Sequence, residues 1–381
     1  MQTVRMGIIG VGGMGQGHCN SLKKVEETKL AAVCDIDPAT AEKVGTEQGV
    51  PFFTDYRKLL RSGLCDAVIV ATPHPVRPPI AIAAMKAGLH LLSEKPLSER
   101  VSTADQMIRT AQETGVAFAV MFQLRTDPAF VKAIEIARSG VLGKIYRTAM
   151  ISPEFRNQTY YNSAGWRANW VGEGGGVMLN QAPHIIDLFI LLGGMPSSVY
   201  GRTETRLHDI EVEDLAEALL TYPDGGTGYF YCSTNEPKPG QMIEVFGDKG
   251  KLVYRDGALR LYTYQQPVRE FSATCPKMWD APQSTEQVID VPKTEWGHFL
   301  ILRNFARHIL HQEPLLSPGA EGLRSLELAN AIWLSASRRR PVDLPISRTA
   351  YDAFLRAKRR TSKDARKVLL TTRETDPCHK N

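Results

Sequence analysis

Three polar side chains interrupt a long apolar run near the middle of the chain. In GGGVMLNQAPHIIDLFILLGG, residues 174–194, Asn180, His184 and Asp187 are separated by four and then three positions. That spacing sets them on one stripe of a helix, with Leu179, Ile185, Ile186, Leu188 and Phe189 burying its other sides. An imidazole titrating near neutral pH can take a proton from a hydroxyl or return it. The same residues also permit an architectural role, with Asn180 capping the helix and His184 a core histidine satisfied by Asp187. Pro183 fits only a helix's first turn. It therefore sets Asn180 near the N-cap, Gln181 to Pro183 in the first turn, and His184 one turn in.

A second reactive group stands in SEKPL, where Glu94 and Lys95 end an apolar segment and Pro96 stops a strand ladder from continuing. Lys95 is either a surface lysine after a strand or an ammonium aimed at a bound hydroxyl, and a cis Lys95–Pro96 bond would fix that direction. A third dense stretch, FRNQTYYNSAGWRANWVGEGGG, interleaves Tyr160, Tyr161, Trp166 and Trp170 with Arg156 and Arg167. Aromatic faces and guanidinium forks suit a polyhydroxylated ring. They equally suit an ordinary loop with aromatic anchors.

These groups need elements to hold them. VRMGIIGVGGMGQGHCN reads as a strand, a glycine turn and a helix, with Gly10, Gly12 and Gly15 matching G-x-G-x-x-G and Gly13 and Met14 inside the loop. The first glycine permits the turn, the second lets a pyrophosphate approach the backbone, and the third lets helix pack on strand. Asp35 lies twenty residues beyond Gly15 at the end of a second strand, the place of a carboxylate that binds ribose hydroxyls. Ile36 and Asp37 follow, with no arginine for a 2′-phosphate, which favours NAD over NADP. Asp37 before Pro38 reads as a helix cap.

Strands and helices then alternate through CDAVIVATP, PIAIAAMKAG, LHLLSEKP, STADQMIRTAQETG and VAFAVMFQ. That alternation predicts an α/β unit over residues 1–123, a Rossmann-type doubly wound parallel sheet. Its strand ends carry Thr72, Pro73 and His74, then Glu94 and Lys95, then Gln123, all candidates to face the cofactor. From residue 124 to 346 strands dominate and turn signals separate them, predicting an α+β domain with a large, mainly antiparallel sheet. Within it His298 starts a long amphipathic helix and could reach the site from this second domain. The helix EGLRSLELANAIWLSA reads as packing. Residues 347–381 form a basic tail, read as a solvated helix face followed by a frayed end.

Composition sets outer limits. The 381 residues are 43% hydrophobic and carry a net charge of +5, the excess lying in that tail. A tail of that kind can touch nucleic acid or an acidic partner but is more often a solvated face, so a nucleic-acid partner is not expected. Six cysteines without a CxxC pair argue against a metal site or disulfide framework and suit a reducing cytoplasm. No signal-peptide pattern opens the chain, and no apolar run reaches the roughly 18 residues of a membrane span.

Together GVGGMG, EKPL, GGGVMLNQAPHIIDL and SLELANAIWLSASRRRPVDLP resemble the Gfo/Idh/MocA family of NAD(P)-dependent oxidoreductases, in the family's order and over residues 3–346. The resemblance implies reversible oxidation of hydroxyls on sugars, cyclitols and related polyols. It implies Lys95 as catalytic lysine and His184 as the imidazole that handles the hydroxyl proton. Trp166 and Arg167 resemble a pair near the cofactor, and Arg156, Tyr161, Asn180 and His298 join Lys95 and His184 as candidates to bind substrate. A homo-dimer or homo-tetramer through the second sheet is also implied. Two departures stand out. Asn180 takes the place of the family's usual aspartate, and TPHPVRPP has His74 and Arg77 where asparagine and histidine are usual. Arg77 suits an acidic or phosphorylated substrate or merely a helix start. A lyase or glycosidase that recycles its NAD, and a non-catalytic NAD-binding sensor, are compatible with the same residues.

Overall fold

The computed structural model describes residues 3–362. Strand β1 (Val4–Ile9) is almost wholly buried, and the chain turns at Gly10, whose φ of +90° suits a residue without a Cβ, into α1 (Gly13–Leu22). The βα unit repeats through β2 (Thr28–Cys34), α2 (Pro38–Gln48), β3 (Phe52–Phe53), α3 (Tyr56–Leu60), β4 (Ala67–Val70), α4 (Arg77–Lys86), β5 (His90–Ser93), α5 (Val101–Thr114) and β6 (Phe118–Val120). Every pairing is parallel and the order is β3-β2-β1-β4-β5-β6. The order reverses between β1 and β4, the crevice where such sheets receive ligands. Asp37 caps α2 through the Thr40 amide at 3.1 Å, with Pro38 at the first turn, as its sequence indicates.

Helix α6 (Pro128–Arg138) leads to a nine-stranded sheet of β7 (Ile145–Pro153), β8 (Ser198–Glu204), β9 (Leu215–Thr221), β10 (Thr227–Ser233), β11 (Met242–Gly247), β12 (Gly250–Arg255), β13 (Ala258–Tyr264), β14 (Ser284–Val288) and β15 (Val342–Asp343). The order is β14-β13-β12-β11-β7-β10-β9-β8-β15, antiparallel except that β7 and β10 run parallel. Buried positions alternate along β9, β10 and β11, so one face packs and the other does not. The insertion between β7 and β8 carries α7 (Gln158–Tyr161), α8 (Val177–Asn180) and α9 (Pro183–Gly193), while α10 (Val268–Thr274) lies between β13 and β14.

Two helices land elsewhere than the sequence suggests. The helix begun by His298, α11 (His298–His311), packs Ile301, Leu302, Phe305 and Ala306 against Met6 and Ile8 of β1 and Cys19 and Leu22 of α1. It is a layer of the nucleotide-binding unit, not of the second domain. The basic stretch from residue 347 opens with α13 (Arg348–Thr361), whose Tyr351 and Leu355 are buried, so this part is folded onto the body. The rest of that stretch lies outside the described residues. Between them α12 (Gly322–Arg338) is buried on nearly all sides, and its Asn330 accepts from Val101 N at 3.1 Å, capping α5.

Candidate active site

The carboxyl edge of the parallel sheet fits a dinucleotide. A Cβ at Gly15 would meet the Gly10 carbonyl oxygen at 2.0 Å, so that glycine lets α1 sit tight against the turn. At Gly12 and Gly13 a Cβ would meet nothing within 4 Å, and α1 has no side-chain cap on its amides. That leaves open backbone donors where a phosphate charge is favoured. Met14 stands in the first turn of α1. Asp35 directly follows β2, its Oδ2 accepting from Val11 N at 2.9 Å, which ties the glycine loop to the acid, and Ile36 beside it is 90% exposed. At the ends of β4 and β6, Thr72 Oγ1 and Gln123 Oε1 are buried with no protein partner among the described residues, a cost that a bound polar ligand would remove.

Lys95 follows β5 through a cis peptide to Pro96. Its Nζ donates to the Asn180 main-chain oxygen at 2.6 Å, linking the sheet edge to the end of α8. Burial pushes the ammonium below the ordinary lysine range, against the pull of Glu94 and Glu154. Glu94 accepts from Lys95 N at 3.1 Å and from His18 Nε2 at 2.7 Å. Burial alone would raise Glu94, but the His18 hydrogen bond and nearby His298 and Lys95 outweigh it and hold the carboxyl low. His18 is thereby tied to the carboxyl edge of the parallel sheet. His298 stacks on it edge-to-face at 5.6 Å.

The polar stripe of residues 180–187 is built differently from its sequence reading. Asn180 ends α8, Ala182 precedes α9, and His184 follows Pro183 in the first turn of α9. His184 is 9% exposed, its ring edge-to-face with Phe122 at 5.8 Å, just before Gln123. Asp187 serves Arg125 instead, in a fork of 2.7 and 2.6 Å that pins α9 to the turn following β6. The three glycines ahead of α8 allow close approach. A Cβ at Gly174, Gly175 or Gly176 would meet Glu99 at 2.6 Å, Trp333 at 2.2 Å or the Glu213 carbonyl at 1.9 Å.

The aromatic stretch divides. Trp166 stands edge-to-face with His74 at 5.8 Å, and the Arg167 guanidinium lies 4.6 Å from the Trp166 ring and 4.3 Å from the Tyr160 ring. Tyr161, a substrate candidate from sequence, turns inward. It is 2% exposed and its hydroxyl is bonded to Thr234 Oγ1 at 2.7 Å. Its neighbour Tyr160 takes the outward role, accepting from Gln181 Nε2 at 2.8 Å. Arg156 pairs with Glu154 at 2.7 Å and lies over Tyr160. Arg77 is spent on main chain, donating to the Pro96 and Thr72 carbonyls. Burial brings it down to about 10. It braces the two loops that carry Lys95 and Thr72 and offers no free fork to an acidic substrate.

Glu173 escaped the sequence reading. It is 1% exposed, and its carboxylate accepts from Ala168 N at 2.7 Å and from Asn180 Nδ2. Its main-chain oxygen accepts from His74 Nδ1 at 3.0 Å. Burial, with Arg77 next, pushes His74 well below its ordinary range, so that ring is neutral.

Comparison with known proteins places this arrangement. Residues 4–122 match the model described as oxidoreductase family, NAD-binding Rossmann fold, and residues 130–253 match the GFO/IDH/MocA C-terminal domain. A myo-inositol 2-dehydrogenase of Thermotoga maritima is 25% identical over 90% of this chain and 98% of its own. A D-apiose dehydrogenase of Paraburkholderia graminis is 26% identical over 88% of each. Among solved structures, the WlbA dehydrogenase of Chromobacterium violaceum, in complex with NADH and UDP-GlcNAcA, superposes with a TM-score of 0.79 at 27% identity, covering 91% of this chain and 97% of that one.

Proposed function

Because this chain belongs to the Gfo/Idh/MocA family of NAD-binding oxidoreductases, we propose that it reversibly oxidises a hydroxyl-bearing carbon of a sugar, cyclitol or related polyol, with Lys95 and His184 as its catalytic residues. The observation that carries the reading is the 2.6 Å bond from Lys95 Nζ to the Asn180 carbonyl, which brings the lysine to the turn that opens the His184 helix. Gly10 to Gly15, Asp35, Thr72 and Gln123 hold the dinucleotide. When bound, its nicotinamide accepts or returns the hydride. The Lys95 ammonium donates to the reacting oxygen and stabilises charge that develops there. His184 takes the hydroxyl proton in oxidation and gives it back in reduction. Trp166, edge-to-face with His74, and Arg167 beside it stand on the cofactor side, and Arg156 on the polyol side.

Two finer points belong to the same proposal. The Asp35 carboxylate, with Asp37 close behind it, repels a 2′-phosphate, so NAD is the working cofactor. The uncovered face of the nine-stranded sheet carries Tyr200 opposite Leu219, 46% and 60% exposed, and Tyr229 in the next strand. An apolar row of that kind suits a second copy of the chain, giving a dimer or tetramer. No described helix is long and apolar enough to cross a membrane. The free cysteines at 19, 34, 65, 232 and 275 suit a reducing cytoplasm.

The test mixes the protein and NAD with sugars, cyclitols, sugar acids and glycosides while NADH absorbance is followed. Turnover on one class supports the reading. Release of aglycone without NADH would replace it with a lyase or glycosidase that recycles its cofactor. NAD binding with every polyol left intact would leave a sensor.

A further inference from the structure

Glu173 is a buried carboxylate whose hydrogen-bond partners are neutral. The Ala168 amide and the Asn180 side-chain amide both donate to it, and among the described residues it makes no ion pair. A carboxylate that accepts two hydrogen bonds does so most favourably when ionised. Its backbone is also fixed: Glu173 N donates to Asn169 O at 3.0 Å, and His74 holds its carbonyl. An ionised carboxylate can only accept, so Asn180 must turn its NH2 toward Glu173. The amide oxygen is then left for a donor on a ligand. The Asn180 main-chain oxygen, meanwhile, receives Lys95 Nζ. One residue thus joins the carboxylate to the ammonium.

We propose that Glu173 is the positioning residue of the candidate site: its carboxylate fixes the direction of the Asn180 amide and adds to the negative charge, otherwise given by Glu94 and Glu154, that keeps Lys95 cationic. The proposal rests on the reading of Lys95 as the group that binds the reacting hydroxyl. Asn180 itself carries no charge to offset the lysine; Lys95 also faces Glu94, Glu154, Arg77 and Arg167, the last lying over the Tyr160 and Trp166 rings. The groups facing Glu173 are Lys95 after β5, Arg167 in the aromatic loop, His74 after β4, Tyr160 and Tyr161 of α7, and Asn180 of α8. Burial pushes Glu173 up to about 7, against the pull of Arg167, Asn180 and Lys95. Its protonation would free the amide to flip, withdrawing the acceptor and the charge together.

The experiment compares the full-length protein with Glu173→Gln, Asn180→Asp and the double variant, with thermal melts to verify folding. The reactivity of Lys95 toward an amine acylating reagent is read by mass spectrometry from pH 6 to 11. In Glu173→Gln the midpoint of that profile is expected to fall by about one pH unit. Where a polyol is turned over, kcat falls about 10- to 100-fold with KM for NAD nearly unchanged. Adding Asn180→Asp moves the charge one link along the same hydrogen bond and is expected to restore the midpoint. A folded Glu173→Gln with an unmoved midpoint overturns the proposal. So does a double variant no better than the single. If Glu173→Gln does not fold, Glu173→Met, neutral and of similar size, carries the same test, and a wild-type midpoint there overturns it. A shifted midpoint in a protein that oxidises no polyol keeps this assignment and removes the dehydrogenase reading. Turnover with an unmoved midpoint does the reverse.

Discussion

Lys95 and Asn180 meet at 2.6 Å, the ammonium beyond β5 donating to the main-chain oxygen that ends α8. The bond crosses from the parallel sheet to the insertion of the mixed one. The cofactor edge and the His184 helix are therefore registered to each other by the group proposed to bind the reacting oxygen. Leaving this bond to serve a substrate oxygen costs Lys95 one partner and gains another, so the site can be held ready without a spare charge in the open.

The first prediction concerns that pair of roles. Lys95→Ala is expected to lower kcat about 100- to 1,000-fold, the scale of removing one donor to a developing charge. His184→Ala is expected to lower it about 100- to 10,000-fold. Neither residue is needed for the glycine loop or Asp35, so NAD affinity should stay within a few-fold in both. Because burial lowers Lys95, its charge is lost at lower pH than that of a free lysine. Activity should then fall on the alkaline side earlier than the ordinary lysine value near 10.4 would give. Stopped-flow turnover and NAD fluorescence titration separate these effects, and wild-type turnover in His184→Ala would remove it from the mechanism.

Cofactor choice should follow Asp35. The wild-type protein is expected to bind NAD at least about tenfold more tightly than NADP, roughly the 1.4 kcal/mol of one unfavourable charge contact. Asp35→Ser combined with Ile36→Arg removes the repulsion and adds a phosphate partner at an exposed position. The preference should narrow or reverse. Equal binding of both cofactors by the wild type would show that Asp35 does not discriminate.

A buried acid outside the chemistry provides a stability test. Glu213 accepts from Gly176 N and Met178 N at 3.0 and 3.1 Å, holding the start of α8. Burial pushes it up from 4.5 to about 7. The native state thus favours the protonated acid, and that contribution is full below about pH 4.5 and declines as pH rises through 7. Glu213→Gln keeps an acceptor oxygen and cannot ionise. Between pH 5 and pH 8 the wild type is expected to lose about 2 to 3 kcal/mol relative to this variant in urea unfolding. A constant difference across that range would mean Glu213 does not titrate there.

Local pattern was enough for the parts that depend on neighbours in sequence. The glycine loop, Asp35 and the strand ends with Thr72, Lys95 and Gln123 all stand where periodicity and spacing put them, and the two sheets have the expected character. What stayed hidden depends on distant partners. VGEGGG reads as a loop, and nothing near Glu173 announces that Asn180 and His74 enclose it. Tyr160 and Tyr161 are adjacent, and only Thr234, 73 positions beyond Tyr161, decides which of them faces inward. Asp187 meets Arg125 across 62 positions rather than His184 across three. The apolar stripe of α11 specified burial, but not that β1 and α1 would bury it.

The last prediction concerns α13, beyond the residues that carry the family likeness. Arg359 donates to the Trp170 carbonyl at 3.2 Å and to Glu99 at 3.1 Å, while Lys358 lies 5.3 Å from the Trp170 ring. Trp170 continues the loop of Trp166 and Arg167, and Glu99 lies against Gly174. The final turn of α13 thus holds both walls of the site from behind. Ending the chain at residue 347 removes Tyr351, 0% exposed, and should cost at least the roughly 3 to 5 kcal/mol of an aromatic core truncation. Arg359→Ala leaves that anchor in place. Glu99 is buried but keeps Arg100 nearby, so Arg359→Ala should cost less than that core truncation, yet it frees the loop. The expected signature is a several-fold rise in polyol KM, with faster proteolytic cleavage between residues 162 and 173 and nearly unchanged NAD affinity. Arg359→Lys should not restore the loop, because an ammonium cannot span a carbonyl and a carboxylate as a planar fork does. If Arg359→Ala leaves both KM and cleavage unchanged, α13 stabilises the body of the protein without governing the loop.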